Sequence, residues 1–182
     1  MSRRLHNLVN NEELKRRMEE NPEARTTLSF YQYHNIEAPL MFRDQLFREW
    51  SKLEVYGRIY VAKEGINGQI SVPTTNFEAF KEAMYTVPFL KDIRLNIAID
   101  DDGKSFYKLK IKVRDKIVSD GLNDDTFDVT KRGKHLSAQE VNDLLARDET
   151  IVVDMRNHYE SEVGYFRGAI RPDVETFRES LP

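Results

Sequence analysis

Along residues 25–100 the apolar positions switch repeatedly between the period of a strand and that of a helix, and this succession leaves few folds open to the chain. In residues 27–33, Leu28 and Phe30 fall on one face and Thr27, Ser29, Tyr31 and Tyr33 on the other, the pattern of a half-buried strand. Phe42, Leu46, Trp50 and Leu53 then recur at helical spacing behind Pro39. Residues 58–62 and 69–72 return to alternation, and Asn67-Gly68 in the short connection predicts a hairpin. Pro73 ends it, and Thr75 with Glu78 has capping-box spacing ahead of a second helical stripe, Phe77, Phe80, Met84 and Val87. Ile93, Leu95, Ile97 and Ile99 alternate with Arg94, Asn96 and Ala98 in the most regular strand pattern of all. The order β-α-β-β-α-β is that of the split βαβ, or ferredoxin-like, unit, an α+β arrangement whose two helices cover one sheet face. The other face is expected to be open, presenting Thr27, Ser29, Tyr31, Tyr33, Arg58, Tyr60, Gln69, Ser71, Arg94 and Asn96.

Four segments follow. Residues 1–24 form an N-terminal helical appendage, its helix capped by Asn10 or Asn11 and halted at Asn21-Pro22. Residues 25–118 hold the ferredoxin-like domain, extended after an Asp100 to Gly103 turn by one further strand. Residues 119–134 are polar and aperiodic, a linker. From 135 to 182 a second domain opens: Ser137 and Glu140 form a capping box before Val141, Leu144 and Leu145, and residues 150–153 read as a buried parallel strand of an α/β sheet. Too little sequence remains for such a sheet to close its core. Exposed apolar surface at Ile151, Val153 and Ile170 is therefore expected, with self-association as one way to cover it.

With 40% hydrophobic and 32% charged residues, the 182-residue chain is a folded protein rather than a disordered one. No apolar run approaches the roughly 20 residues that cross a bilayer, and the start lacks a signal-type stretch, so a cytoplasmic location without membrane contact is expected. The net charge of -3 means that any grip on nucleic acid must rest on a local basic cluster. Cysteine is absent, which excludes disulfides, thiolate metal sites and a cysteine nucleophile within these residues. His6, His34, His135 and His158 have no ligand-like spacing, and no metal site is expected.

Lys108, Lys110, Lys112, Arg114 and Lys116 alternate with Leu109, Ile111, Val113 and Ile117. On a strand such cations stand about 6.8 Å apart, a row able to follow a phosphate backbone. An edge strand whose lysines block sheet-to-sheet association fits the same pattern. The tyrosines of the open face are likewise either platforms for bases or packing for a neighbouring domain. If this surface grips RNA, the candidate contacts are Arg58, Lys63, Arg94, Lys110, Lys112 and Arg114. In the second domain, Asp154 and Arg156 end the apolar run, with Glu160 behind them, at the strand end where open α/β sheets build their sites. An ion pair among them is the simpler account of the individual residues.

The stretch Asp154-Met155-Arg156, Glu160 and Gly164-Tyr165-Phe166-Arg167-Gly168-Ala169 resembles the opening of a rhodanese domain, with Tyr165 where histidine is usual. Across nearly the whole chain, Arg25-Thr26-Thr27-Leu28-Ser29-Phe30-Tyr31, Gly57-Arg58-Ile59-Tyr60-Val61-Ala62-Lys63-Glu64-Gly65-Ile66-Asn67-Gly68, Arg94-Leu95-Asn96-Ile97-Ala98, Lys112-Val113-Arg114 and Asp154-Met155-Arg156-Asn157-His158-Tyr159-Glu160 resemble the oxygen-dependent tRNA uridine hydroxylase family of bacteria. The resemblance implies an enzyme that hydroxylates the wobble uridine of tRNA with molecular oxygen as co-substrate, no other cofactor being evident, and a rhodanese cysteine as its key residue. That cysteine would lie beyond Pro182. Residues 135–182 are thus expected to be an incomplete rhodanese-like domain, the chain truncated and inactive alone, with Asp154, Arg156 and Glu160 at the rhodanese site edge and no catalytic residue among those present. A sulfurtransferase with a protein-docking domain and a non-catalytic RNA-binding fragment are the alternatives. An acylphosphatase activity is weaker, because no Gly-rich loop with an arginine precedes the first helix.

Overall fold

The alternating stretches of the first half become β1 (Arg25–Tyr33), β2 (Tyr56–Ala62), β3 (Gly65–Pro73), a short β4 (Asn96–Ile97) and β5 (Leu109–Val113). The structure is a computed structural model that describes residues 5, 9–20, 23–99, 105–117, 131 and 133–180; the turn expected at 100–103 and most of the linker expected at 119–134 lie outside them. The chain divides into two units, residues 1–118 and 119–182.

In the first unit one sheet has the order β4-β1-β3-β2-β5. β3 is antiparallel to β1 and β2, β4 is antiparallel to β1, and β5 lies parallel to β2. Helices α2 (Pro39–Lys52) and α3 (Phe77–Tyr85) complete the ferredoxin-like unit, and α1 (Asn11–Glu20) precedes it. Asn10 Oδ1 accepts from Glu12 N at 3.1 Å, capping α1. Both predicted stripes face the sheet: Leu46 and Trp50 of α2, and Phe80 and Met84 of α3, are fully buried against Leu28, Phe30, Ile59, Val61, Ile66, Ile70 and Val72. Trp50 joins the layers, its ring edge-on to Phe30 at 6.1 Å and to Phe80 at 5.1 Å.

Three local expectations need correction. The hairpin turns at Lys63-Glu64, while Asn67 and Gly68 lie inside β3 opposite Tyr60 and Ile59. Gly68 is needed for space instead: a Cβ there would stand 2.5 Å from the Phe30 ring. Residues 93–99 form a strand only at Asn96–Ile97: Ile93 and Leu95 pack on the core, whereas Ile97 and Ile99, farther along the sheet edge, are exposed. A 3-10 turn over Thr74–Asn76 leads into α3, so Asn76, without a side-chain cap bond, takes the place expected of Thr75.

In the second unit, the capping box of α4 (Ala138–Leu145) is present, Glu140 N donating to Ser137 Oγ at 3.3 Å and Ser137 N to Glu140 Oε2 at 2.8 Å. The expected buried strand is a single parallel bridge, Val153 to Ile170, made by Asp154 N to Ile170 O and Ile170 N to Val152 O, both 2.8 Å. Ile151, Val153 and Ile170 remain 76%, 48% and 57% exposed, since no layer of described residues covers them. Helix α5 (His158–Val163) follows.

Candidate nucleic-acid interface

Strand register sets the sheet face turned away from the helices. Asn96 lies opposite Ser29, Ser29 opposite Gln69, Gln69 opposite Arg58, and Arg58 beside Lys110. One row of polar side chains therefore crosses all five strands, about 19 Å at the usual strand spacing. The next row holds Tyr31, Asn67, Tyr60 and Lys112. Across these two rows the cations sit on β2 and β5, and β3, β1 and β4 carry only uncharged groups.

Four of the six candidate contacts converge here. Arg58 and Lys110 are exposed partners, Lys112 neighbours Tyr60, and the Arg114 guanidinium lies 5.6 Å from the Tyr60 ring centre. Lys63 stands apart in the β2–β3 turn, and Arg94 lies beside β4 at the opposite edge of the sheet. The expected row of five cations is shorter in fact: Lys108 is bonded to Asn11 Oδ1, and Lys116 follows the end of β5. Arg43, buried on α2, donates from Nε to the carbonyl of Ile111 at 3.3 Å, so an edge-strand acceptor is already engaged without the lysines.

The face is not open throughout. At one end Arg25 donates to Ser71 Oγ and O at 3.1 and 3.0 Å and to Glu54 O, and its guanidinium stacks 4.1 Å from the Tyr56 ring centre; burial pulls its pKa down, partly countered by Tyr56, Glu23 and Glu54. At the other end Ile117 is 4% exposed yet lies outside the helix-side core. Its N–H donates to Glu64 Oε1 at 2.7 Å and its carbonyl accepts from Asn67 Nδ2 at 3.3 Å. Alternation had placed Ile117 with Ile111 and Val113. The chain leaves the strand after Val113, and Asp115, where an apolar residue would continue the β5 pattern, is the sequence sign of that departure.

In the second unit Arg156 grips Asp154 in a fork, Nε to Oδ1 at 2.9 Å and Nη2 to Oδ2 at 2.6 Å, and Nη2 also reaches Gly164 O at 2.6 Å. Hydrogen bonding to this guanidinium lowers the Asp154 pKa from 3.8 to about 2. Because the folded value lies below the unfolded one, the pair contributes stability at neutral pH that is lost as pH falls from about 4 toward 2. An NMR titration is expected to give an Asp154 midpoint near 2, and Arg156→Ala to return it to the ordinary carboxylate range. Glu160 serves α5 instead, accepting from Asn157 N and Nδ2 at 3.2 and 2.8 Å. Tyr165 lies under the Arg171 guanidinium, 4.1 Å from ring centre to Cζ. Among the described residues no cluster of three or more His, Cys, Asp or Glu could hold a metal, and no helix is long and apolar enough to cross a membrane.

A ferredoxin-like sheet with helices on one face and a cationic, tyrosine-bearing row on the other defines the class. The chain belongs to the family described as the UPF0176 acylphosphatase like domain, which matches residues 25–117. The likeness is one of fold, for residues 34–38 between β1 and α2 contain neither glycine nor arginine. Over 179 residues the chain is 56% identical to a tRNA uridine(34) hydroxylase of Photorhabdus laumondii subsp. laumondii, covering 98% of this chain and 51% of that protein. Proteins of the same name from Yersinia pestis and Yersinia pseudotuberculosis are 52% identical, over 98% of this chain and 50% of theirs. The chain thus spans about half the length of the curated relatives it matches.

Proposed function

We propose that the chain is part of a cytoplasmic enzyme that hydroxylates uridine 34, the wobble base of tRNA, with molecular oxygen as co-substrate. Identity of 52–56% over 98% of the chain to proteins named tRNA uridine(34) hydroxylase supports the hydroxylation of that base. The first unit contributes tRNA binding through the sheet face bearing Arg58, Lys110, Lys112 and Arg114, with Lys63 and Arg94 as outlying contacts. Residues 135–182 open a rhodanese-like domain with Asp154, Arg156 and Glu160 at its site edge. With no cysteine among them, the 182 residues serve binding rather than cysteine-based covalent chemistry.

The test is tRNA binding by the 182-residue chain across a salt series. Binding that falls by several orders of magnitude between low and physiological salt is expected of a multi-phosphate grip. No binding at low salt would remove the first unit from recognition and favour a protein-docking role. The apolar residues left exposed in the second unit also support association between copies. Sedimentation is expected to show concentration-dependent dimers that Ile151→Asp weakens; a strict monomer at high concentration would refute this.

A further inference from the structure

We infer that the row Asn96, Ser29, Gln69, Arg58 and Lys110, with Tyr31 beside it, is a subsite for single-stranded nucleotides, phosphates on the β2–β5 side and bases on the β3–β1 side. This rests on the tRNA reading above and adds which part of an RNA the face takes. The row is chemically divided: a guanidinium and an ammonium at one end, then an amide, a hydroxyl and a second amide. Gln69, Arg58, Lys110 and Asn96 are exposed, and their side chains have no hydrogen-bond or ion-pair partner among the described residues. Amides of this kind can donate to and accept from a base edge, while the cations take phosphate oxygens.

Tyr31 completes the case for an unpaired strand. Its ring is 50% exposed on the same face and is held edge-on by Tyr33 at 6.4 Å and 78°. A base in a duplex is already stacked and offers such a ring nothing, whereas an unpaired base gains a platform. The covered ends of the face, at Ser71 and at Ala62, both fully buried, confine the free surface to the two rows between them. That width suits about two or three nucleotides, the number a small sheet of this kind stacks. A hairpin loop of RNA supplies such a stretch; its double-helical stem does not.

The experiment measures fluorescence anisotropy of the 182-residue chain with tRNA, a short uridine oligomer and a short RNA duplex. The oligomer is expected to compete with tRNA and the duplex to compete poorly. Tyr31→Ala should weaken the oligomer about tenfold or more without changing the salt slope, and Tyr31→Phe should keep most of the affinity. Gln69→Leu, which leaves the ring in place, should weaken it several-fold, so a folding defect in one variant leaves the other informative. If tRNA binds with a steep salt slope while the oligomer fails to compete, or both variants bind it like the parent, the subsite is wrong and the tRNA reading stands. If neither RNA binds, both fall.

Discussion

Replacing Gly57 with alanine is expected to destabilise the first unit by at least about 3 kcal/mol, combining backbone strain with overpacking. Gly57 has φ +140°, and a Cβ there would stand 2.3 Å from the Gln69 carbonyl oxygen and 2.5 Å from Ile70 Cα. Both are backbone atoms of the central strand and cannot rotate away. Gly164→Ala is the control, since nothing lies within 4 Å of its Cβ position. Urea unfolding followed through Trp50, the single tryptophan and fully buried, reads the first unit directly. For a domain of this size the loss corresponds to melting about 12 °C lower or more. A Gly57→Ala variant melting with the parent would mean that the β2–β3 register is wrong.

Neutralising Arg58, Lys110 and Lys112 together, each to glutamine, is expected to weaken tRNA binding about 100-fold at moderate salt. Each phosphate contact contributes about 0.7 to 0.9 to the slope of log affinity against log salt, so the slope should flatten by about 2 to 3. These side chains are at least partly exposed on one face, so their loss leaves the core intact. Arg94→Gln, at the far edge of the sheet, should change the slope by no more than about one contact. An unaltered slope in the triple variant, together with new aggregation, would return the lysines to the role of edge protection.

Much of the first unit was legible because its signals are local. The stripes at Leu46 and Trp50 and at Phe80 and Met84 name their helices, and Leu28 with Phe30 names a strand, since each period has one buried face. The polar row was legible as a set of open-face residues but not as a row, because alternation fixes a face and says nothing of cross-strand register. Asn67-Gly68 misled for a related reason: a dipeptide that suits a turn also suits a strand where an aromatic ring needs room, and Phe30 is 38 positions away. Residues 93–99 alternate cleanly, yet only Ile93 and Leu95 find the core, and the edge beyond them has little to bury. In the second unit Ser137 and Glu140 were readable within four residues, whereas the exposure of Val153 depends on which layers stand over it.

The double hold on Ile117 has a mechanical meaning. Tension on the chain after Ile117 does not begin by unzipping β5 from the sheet edge one bond at a time. It meets first the Glu64 and Asn67 bonds, which belong to a hairpin joining two interior strands and must yield together. A pull at Ile117 is thus shared with the β2–β3 hairpin and does not fall on the outer strand alone.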